Sequence, residues 1–510
     1  MKLPLRVFCI IALFVTSPLF LLGNNHTLSL GSGLPQPSEA FSNEECKQNY
    51  LFVDGNKLYD TRGEPVRLTG VNWFGFETSN LAFHGLWSRD MYSMLQQIKD
   101  LGFNTIRVPW TNDMLKPGAS FNGVSVNNFG QDAYTGSTLN SYLENVSSPI
   151  EILDLAVAWC EENNLRIILD CHSRKADGYL SEGYWYTNEV SEEKWIADWV
   201  FMAERYKDFA AVSVADLNNE PHANDITWGY GEASKDWAKA AERCSEAIWK
   251  VNPNIVVCVE GIAKDQRGEN YWWGGNLHDV NNYQLNLSKP DKLIYSFHEY
   301  GPEVFNQPWF NEASFPGNLK PLWDDRWAFV HNKGIGHLLM GEFGIKEEQA
   351  FGGKSLKWIK ELMDYVGSDY SWTFWCFNPN SGDTGGILKD DWAQVNTWKM
   401  NLLTPHLAPE IPSCISAGTT SILKEEIPNL KVYPNPAHQE VWFETLASSP
   451  TISHVKLYNL SGKTVLTQKI ARTGSLHRID LQSLPPGMYR FFLLDEEGQK
   501  ISARGTVIKH

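Results

Sequence analysis

The chain has 510 residues, with 60 Asp and Glu against 44 Lys and Arg, a formal charge of −16. Forty-three per cent apolar and 20% charged residues describe a folded protein with ample core, not a disordered chain. The acidic balance argues against a nucleic-acid binder, which needs clustered cations, and the ordinary soluble composition argues against a multi-span membrane protein.

The N-terminal segment reads as an export signal over residues 1–24. Lys2 and Arg6 precede an apolar run, 7–15, and a second patch, 19–22, follows a Ser17-Pro18 break. Neither patch is long enough for a permanent membrane span, so the alternative of an uncleaved anchor is the weaker one. Export permits disulfides. Loss of Cys9 leaves seven cysteines, an odd number, with no CxxC pair to suggest a zinc ribbon. Cys160, Cys244 and Cys258 sit in apolar patterns and are expected as small core residues.

Residues 25–48 are rich in Ser, Gly and Pro and read as a linker. From 49 to 410 short apolar runs alternate with helix-period stretches. Strand-like runs are expected at 67–73, 104–109, 166–171, 212–217, 255–259, 293–298, 337–341 and 370–376. Helices are expected at 90–101, 150–163, 192–206, 234–250 and 354–366. Continuous apolar strands separated by helices imply a parallel sheet, and eight such units imply an α/β fold, a (β/α)8 TIM barrel. A doubly wound open sheet is the alternative, but no GxGxxG or phosphate-loop motif follows any strand.

Residues 411–428 form a second linker. Beyond it the pattern switches to period-two alternation with Pro, Asn and Gly turns, and no helix pattern remains. From Leu430 onward ten Lys and Arg face six Asp and Glu, and Trp442 is the only one of the 21 Trp past residue 410. Residues 429–510 are therefore expected to be a small, separate all-β domain.

Two carboxylates stand where a barrel places its chemistry. Asn219-Glu220-Pro221 ends the fourth strand pattern and Gly341-Glu342-Phe343 ends the seventh, at the C-terminal face. Strands four and seven are not neighbours, so the two side chains reach across the mouth. Carboxyl groups facing each other at about 5 Å suit a retaining glycosidase, and about 6.5 Å or more suits an inverting one. At 5 Å and an effective dielectric of 20, their repulsion is about 3 kcal/mol, or about two pKa units. One of them therefore stays protonated near neutral pH and serves as general acid. A Glu at a strand end can equally be a salt-bridged rim residue; two such residues after apolar strands favour catalysis.

Other strand ends carry supporting groups. Arg107 on strand two, if buried, needs a carboxylate partner, the obvious one being the Glu that stays ionised. His172 ends strand three, and His298 and Tyr300 end strand six. Metal catalysis is disfavoured, because the position after strand one reads Val-Asn-Trp rather than His-x-His. No cofactor is implied. Trp73, Trp87, Trp185, Trp272, Trp273 and Trp375 lie at strand ends or in the loops beyond, where flat indoles suit the apolar faces of sugar rings. Trp159, Trp195, Trp199, Trp237 and Trp249 fall in helical patterns and are expected to pack on the barrel wall.

Several stretches together resemble glycoside hydrolase family 5, most closely its bacterial endo-β-1,4-glucanases. They are Arg-Leu-Thr-Gly-Val-Asn-Trp-Phe-Gly-Phe-Glu-Thr (67–78), His-Gly-Leu-Trp-Ser-Arg-Asp (84–90) and Asn-Thr-Ile-Arg-Val-Pro-Trp (104–110). Asn-Glu-Pro-His (219–222), Tyr-Trp-Trp-Gly-Gly-Asn-Leu (271–277), Gly-Glu-Phe-Gly (341–344) and the run 372–388 complete the series. The resemblance implies Glu220 as acid/base and Glu342 as nucleophile. It implies that Asn219 binds the sugar 2-hydroxyl and that Arg107 and Tyr300 orient the nucleophile. His172 and His298 would line the same subsite with Trp375 as its floor, Trp73 and Trp87 would also contact substrate, and loop 378–386 would form a cleft wall. Some relatives carry cysteine pairs near the strand-one and strand-four loops; this chain has Ser79 and no Cys over 222–231.

The tail stretches 432–436, 455–462 and 484–489 resemble the C-terminal sorting domain of the type IX secretion system, which implies that machinery as a partner. A carbohydrate-binding β-sandwich is the competing reading, weakened by the single Trp. The expectation is a secreted, monomeric, retaining endo-β-1,4-glucanase acting on cellulose or related β-glucans. The alternatives are the same mechanism on mixed-linkage glucan, xyloglucan or mannan, or a non-catalytic glycan-binding surface protein.

Overall fold

The computed structural model describes residues 46–126, 130–416, 431–434, 437–444, 453–458, 464–469, 476–485, 487–494 and 500–509. The expected export signal and most of both linkers lie outside the described residues.

Eight parallel strands close into a barrel: β1 (Thr69–Asn72), β2 (Thr105–Thr111), β3 (Arg166–Ser173), β4 (Val212–Asp216), β5 (Val256–Glu260), β6 (Leu293–His298), β7 (His337–Glu342) and β8 (Ser371–Phe374). They follow one another in chain order, and β8 pairs back onto β1 through Phe374 and Val71. Closure removes the open-sheet alternative. Helices follow most strands: α1 (Met91–Asp100), α2 (Pro149–Glu162), α3 (Glu192–Arg205), α4 (Trp237–Val251), α5 (319–332), α6 (Ala350–Val366) and α7 (Thr397–Leu403). After β5 the place of a helix is taken by a long loop with two 3₁₀ turns, His278–Asn281 and Pro290–Lys292. The helix starts are written in the sequence. Asp90 and Ser191 accept from the backbone N–H of Ser93 and Lys194, and Ser148 and Glu151 form a reciprocal capping box. Phe351, Gly352 and Gly353 have positive φ, so regular α6 begins at Lys354, where the apolar periodicity begins.

Alternation along the strands sorts the barrel interior into layers. Ile168, Val214, Val256, Ile294 and Leu339 share one buried apolar cluster with Leu51, Val53 and Leu58 of an N-terminal antiparallel hairpin (Leu51–Asp54 and Lys57–Asp60). That cluster fills the N-terminal half of the barrel. Two residues on along β3 and β4, and four on along β5 and β6, the inward positions become Asp170, Asp216, Glu260 and His298, with Arg107 of β2 among them, all fully buried. The intervening residues, such as Leu169, Ala215, Val257 and Met340, join the larger core shared with the helices. One barrel thus has an apolar floor and a charged ceiling.

The chain around 431–509 builds its own unit. Strands β9 (Lys431–Tyr433), β10 (Glu440–Glu444) and β13 (Leu476–Asp480) form one antiparallel sheet. Strands β11 (His454–Tyr458), β12 (Thr464–Lys469), β14 (Gly487–Leu494) and β15 (Lys500–Lys509) form another. Phe443 meets Phe491 edge to face at 4.6 Å between centroids, joining the two sheets over a small core. Cys160, Cys171, Cys244, Cys258 and Cys376 are free and buried, and Cys414 is disulfide-bonded.

Candidate active site

The buried Trp residues of the helices set the strand ends. Trp195 and Trp199 on α3 both donate their indole N–H to the carbonyl of Leu217, at 3.1 and 2.9 Å, just past β4. Trp237 on α4 does the same to Glu260 at 2.9 Å. Residues expected to pack on the barrel wall therefore also hold the two backbone segments that deliver Glu220 and Glu260. Trp249 is buried as well, and Trp159 partly so.

Glu220 lies beyond the last bonded residue of β4, with φ of +47°. A non-glycine residue in that region costs about 1 kcal/mol, and the site holds it there: its N–H donates to Glu260 Oε2 at 2.7 Å. Glu342 closes β7. One oxygen of Glu220 and one of Glu342 lie within 4.8 Å of each other, with His298 Nδ1 or Nε2 inside the same radius.

Arg107 organises the layer beneath. Its guanidinium, fully buried, donates to Glu342 Oε1 at 2.7 Å, Asp216 Oδ2 at 2.9 Å, Asn219 Oδ1 at 2.9 Å, Asn72 Oδ1 at 3.0 Å and Glu260 Oε1 at 3.1 Å. Asp170 Oδ1 is also 3.1 Å away. Tyr300 donates its hydroxyl to the other oxygen of Glu342 at 2.7 Å. His298 Nδ1 is 2.8 Å from Glu220 Oε1 and its Nε2 is 3.2 Å from Glu260 Oε1. His172 Nδ1 is 2.6 Å from Asp170 Oδ2, and its ring lies parallel to Trp375, with centroids 5.6 Å apart.

This arrangement splits the two carboxyls. Burial, opposed by His298 and reinforced by the negative charge of Glu342, pushes Glu220 up to about 7. Burial also acts on Glu342, but His298, Arg107, His172 and the Tyr300 hydroxyl outweigh it and hold that carboxyl below its ordinary value. Burial would lower His172, yet Asp170 and the neighbouring Glu342 raise it to about 9. His298 is driven upward against burial by Glu260, Glu342 and Glu220.

Three carboxylate and histidine sets here are close enough to share an ion: Asp170–His172–Glu342, Glu220–His298–Glu342 and Asp170–Asp216–Glu260. The third set already encloses the Arg107 guanidinium. In the other two the surrounding carboxylates favour the protonated imidazole, so a metal ion would have to displace that proton to bind.

A cleft of about 490 Å³ opens over the pair, lined among others by Glu220, Glu342, His172, Trp272, Trp273, Tyr300, Trp375 and Asp383. Of the residues expected in the site, Arg107, His172, Asn219, Glu220, His298, Tyr300, Glu342 and Trp375 come together. Trp73 does not belong with them. It is fully buried, stacks on Phe83 at 4.1 Å and donates its indole N–H to the His84 carbonyl at 3.0 Å. The reason is parity: Asn72 points into the barrel toward Arg107, so Trp73 points out into the packing layer. Trp185 is fully buried for a similar structural role, bonded to Glu192 at 2.8 Å. Trp87 keeps a face 38% exposed, packed edge-on against Trp392, but is not among the residues lining this cleft. Asp170, Asp216 and Glu260 carry much of the charge balance and were not foreseen. Asp170 lies within β3, and Asp216 and Glu260 close β4 and β5, each an acidic residue in an otherwise largely apolar strand, which is the one trace they leave in the sequence.

Comparison with known proteins agrees with this geometry. Residues 59–381 match the family model for cellulase (glycosyl hydrolase family 5), and residues 431–508 match that for a secretion system C-terminal sorting domain. An endoglucanase of Paenibacillus polymyxa is 40% identical over 367 residues, 71% of this chain and 88% of that protein. The major extracellular endoglucanase of Xanthomonas campestris is 38% identical over 360 residues, 70% of each. Among solved structures, an endocellulase from the archaeon Pyrococcus horikoshii is 37% identical with a TM-score of 0.63, over 70% of this chain and 98% of that one.

A closed barrel with paired carboxyls at its mouth is here a glycoside hydrolase, and the chain belongs to glycosyl hydrolase family 5, the cellulases. Its C-terminal unit is a type IX sorting domain, which marks the protein for secretion or the cell surface. Among the described residues no helix is long and apolar enough to cross a membrane.

Proposed function

We propose that the protein is a secreted, retaining endo-β-1,4-glucanase that cleaves cellulose or related β-glucans by double displacement. The observation that carries this reading is the pair of carboxyl oxygens within 4.8 Å, one group raised to about 7 and its partner held down. Oxygens this close fit a retaining pair, with about 5–5.5 Å between carboxyl groups, better than the about 6.5 Å or more of an inverting pair.

Glu342 attacks the anomeric carbon while Glu220 donates its proton to the departing glycosidic oxygen. The glycosyl–Glu342 ester then reacts with water, from which Glu220, now a carboxylate, takes a proton. Arg107 and Tyr300 keep the Glu342 oxygens ionised and aimed. Asn219 has its Oδ1 fixed by Arg107 and its buried Nδ2 without a protein partner, a donor suited to the sugar 2-hydroxyl. Trp375 offers the flat surface beneath that ring. Every one of these groups comes from one chain, which supports action as a monomer. The charged segment 1–24 supports entry into the export route through an N-terminal signal, before the sorting domain is read.

The named relatives support internal cleavage and a glucan substrate. The corresponding experiment compares viscosity loss with reducing-end release on carboxymethylcellulose, and rates on lichenan, xyloglucan and mannan. Viscosity is expected to fall well before reducing ends accumulate, with the highest rate on a β-1,4-glucan. A higher rate on mannan would replace the substrate assignment.

The carboxyl pair also fixes the pH profile. Activity needs Glu220 protonated, so it is lost as pH rises through about 7. It needs Glu342 ionised, so on the acid side it is lost only below the ordinary carboxylate range. A profile of kcat/KM against pH is expected to be a bell with its alkaline limb near neutrality. Activity undiminished up to pH 9 would contradict the assignment of Glu220 as the acid.

A further inference from the structure

Lys399, in α7, is 2% exposed. Its ammonium donates to the carbonyls of Thr384 at 2.8 Å and Gly386 at 3.0 Å, so its partners are backbone oxygens rather than carboxylates. The rings of Trp398 and Phe374 have their centroids 5.6 and 5.9 Å from the nitrogen. A buried ammonium without a bound carboxylate costs stability, and an apolar residue of similar length would ordinarily serve the fold better.

The two carbonyls belong to the loop that follows β8. Its neck is closed by Ile387 N–H to the Cys376 carbonyl at 2.8 Å and Leu388 N–H to the Phe377 carbonyl at 3.0 Å. Its tip has other duties. Asp383 lines the cleft beside Trp375 and Glu342, and Asn380 Nδ2 sits 3.0 Å from His84 Nδ1. Thr384 is fully buried and wedged toward Gly344, two residues past Glu342. A Cβ at Gly344 would meet the Trp375 carbonyl at 2.2 Å and Thr384 Cγ2 at 2.8 Å, which leaves no slack between loop, floor and β7.

We propose that Lys399 is a positioning residue for the glycan cleft: by holding the Thr384 and Gly386 carbonyls it fixes the loop that carries Asp383 into the cleft and seats Trp375. This rests on the reading of the cleft as a glycan site. The hold is titratable. Burial brings the Lys399 amine down to about 8, with Cys376 and Glu303 favouring its charge and Lys346 opposing it. A separate hollow of about 610 Å³, lined in part by Lys346, Asn396 and Lys399, gives its proton a way to solvent. An amine whose folded pKa is lowered is charged below that value, so the hold is full at pH 6 and weakens as pH rises through about 8.

The test uses the full chain carrying Glu342→Gln, so that cellotetraose binds without turnover, with and without Lys399→Met. Calorimetric titration from pH 6 to 9.5 is expected to show about tenfold weaker binding for the Lys399→Met protein at pH 6. The protein with Lys399 intact is expected to lose part of that advantage between pH 7 and 9, as the charge that strengthens the two hydrogen bonds is lost, so that the two curves draw together. Hydrogen exchange is expected to rise in 377–388 and not in β1–β7, without a lower melting temperature. Equal affinity at pH 6 together with equal exchange in the loop overturns the proposal. If Lys399→Met fails to fold, wild-type exchange in 377–388, corrected for the intrinsic base-catalysed rate, decides: loosening between pH 7 and 9 upholds the clamp, and no change overturns it. Cellotetraose failing to bind even with Lys399 intact would sink the glycan reading instead, and the exchange data then judge the clamp alone.

Discussion

Glu342→Gln is expected to abolish glucan hydrolysis, with kcat lower by on the order of 10⁴-fold or more and no loss of fold. The amide keeps the shape of the side chain: its one oxygen can still accept from Arg107 Nη1, and its NH2 then faces the Tyr300 hydroxyl, which can turn to accept, at the two positions where Glu342 now has oxygens 2.7 Å from these groups. Arg107 also retains Asp170, Asp216 and Glu260, so its charge is not stranded. What disappears is the nucleophile. Without it no ester can form, and a slow-reacting fluorinated glycoside that labels the wild type should leave the variant unlabelled in a peptide mass map. Azide added to a Glu342→Ala variant is expected to attack from the vacated side and yield an α-glycosyl azide. A Glu342→Ala protein that keeps more than a few per cent of normal activity would remove the residue from the mechanism.

Glu220→Gln is expected to separate the two chemical steps. On cellulose, whose leaving group needs a proton, kcat should fall by about 10²- to 10⁴-fold. On a dinitrophenyl cellobioside, whose leaving group needs none, the first step should survive and the glycosyl–Glu342 ester accumulate, seen as a burst of released phenol. Azide should then restore turnover and give the β-glycosyl azide, the opposite anomer from that expected at position 342. The alkaline limb of the pH profile near 7 should vanish with the carboxyl that causes it. Equal losses on both substrates would mean that Glu220 acts through structure, by way of its bond to His298 and the Glu260 clamp on its backbone.

Much of this site was legible because barrel physics concentrates it. Apolar strand patterns marked all eight strands, and polar residues at their C-terminal ends gave Arg107, His172, Glu220, His298, Tyr300 and Glu342. What escaped was set by side-chain parity and by partners distant in sequence. Asp170 and Asp216 sit inside runs that read as plain strand, and the reach of Glu260 to Arg107, 153 positions away, has no local signature. Trp73 shows the converse failure. Its place at a strand end is right for a platform, but one residue of register turned it outward. The absent helix after β5 was likewise not marked by any repeat, since the segment 261–292 is rich in Gly, Asn and Asp. Lys399 lay in a short helix with nothing to distinguish it from a surface lysine until the loop it holds was folded over it.

The most direct measurement follows the reducing end released from cellopentaose by proton NMR in the first minutes, before mutarotation. Two successive inversions at one carbon, the course that carboxyl oxygens within 4.8 Å favour, predict that the β-anomer appears first and the α-anomer grows in later. An α-anomer formed first would contradict the account, for it would mean a single displacement by water and no bond between sugar and Glu342.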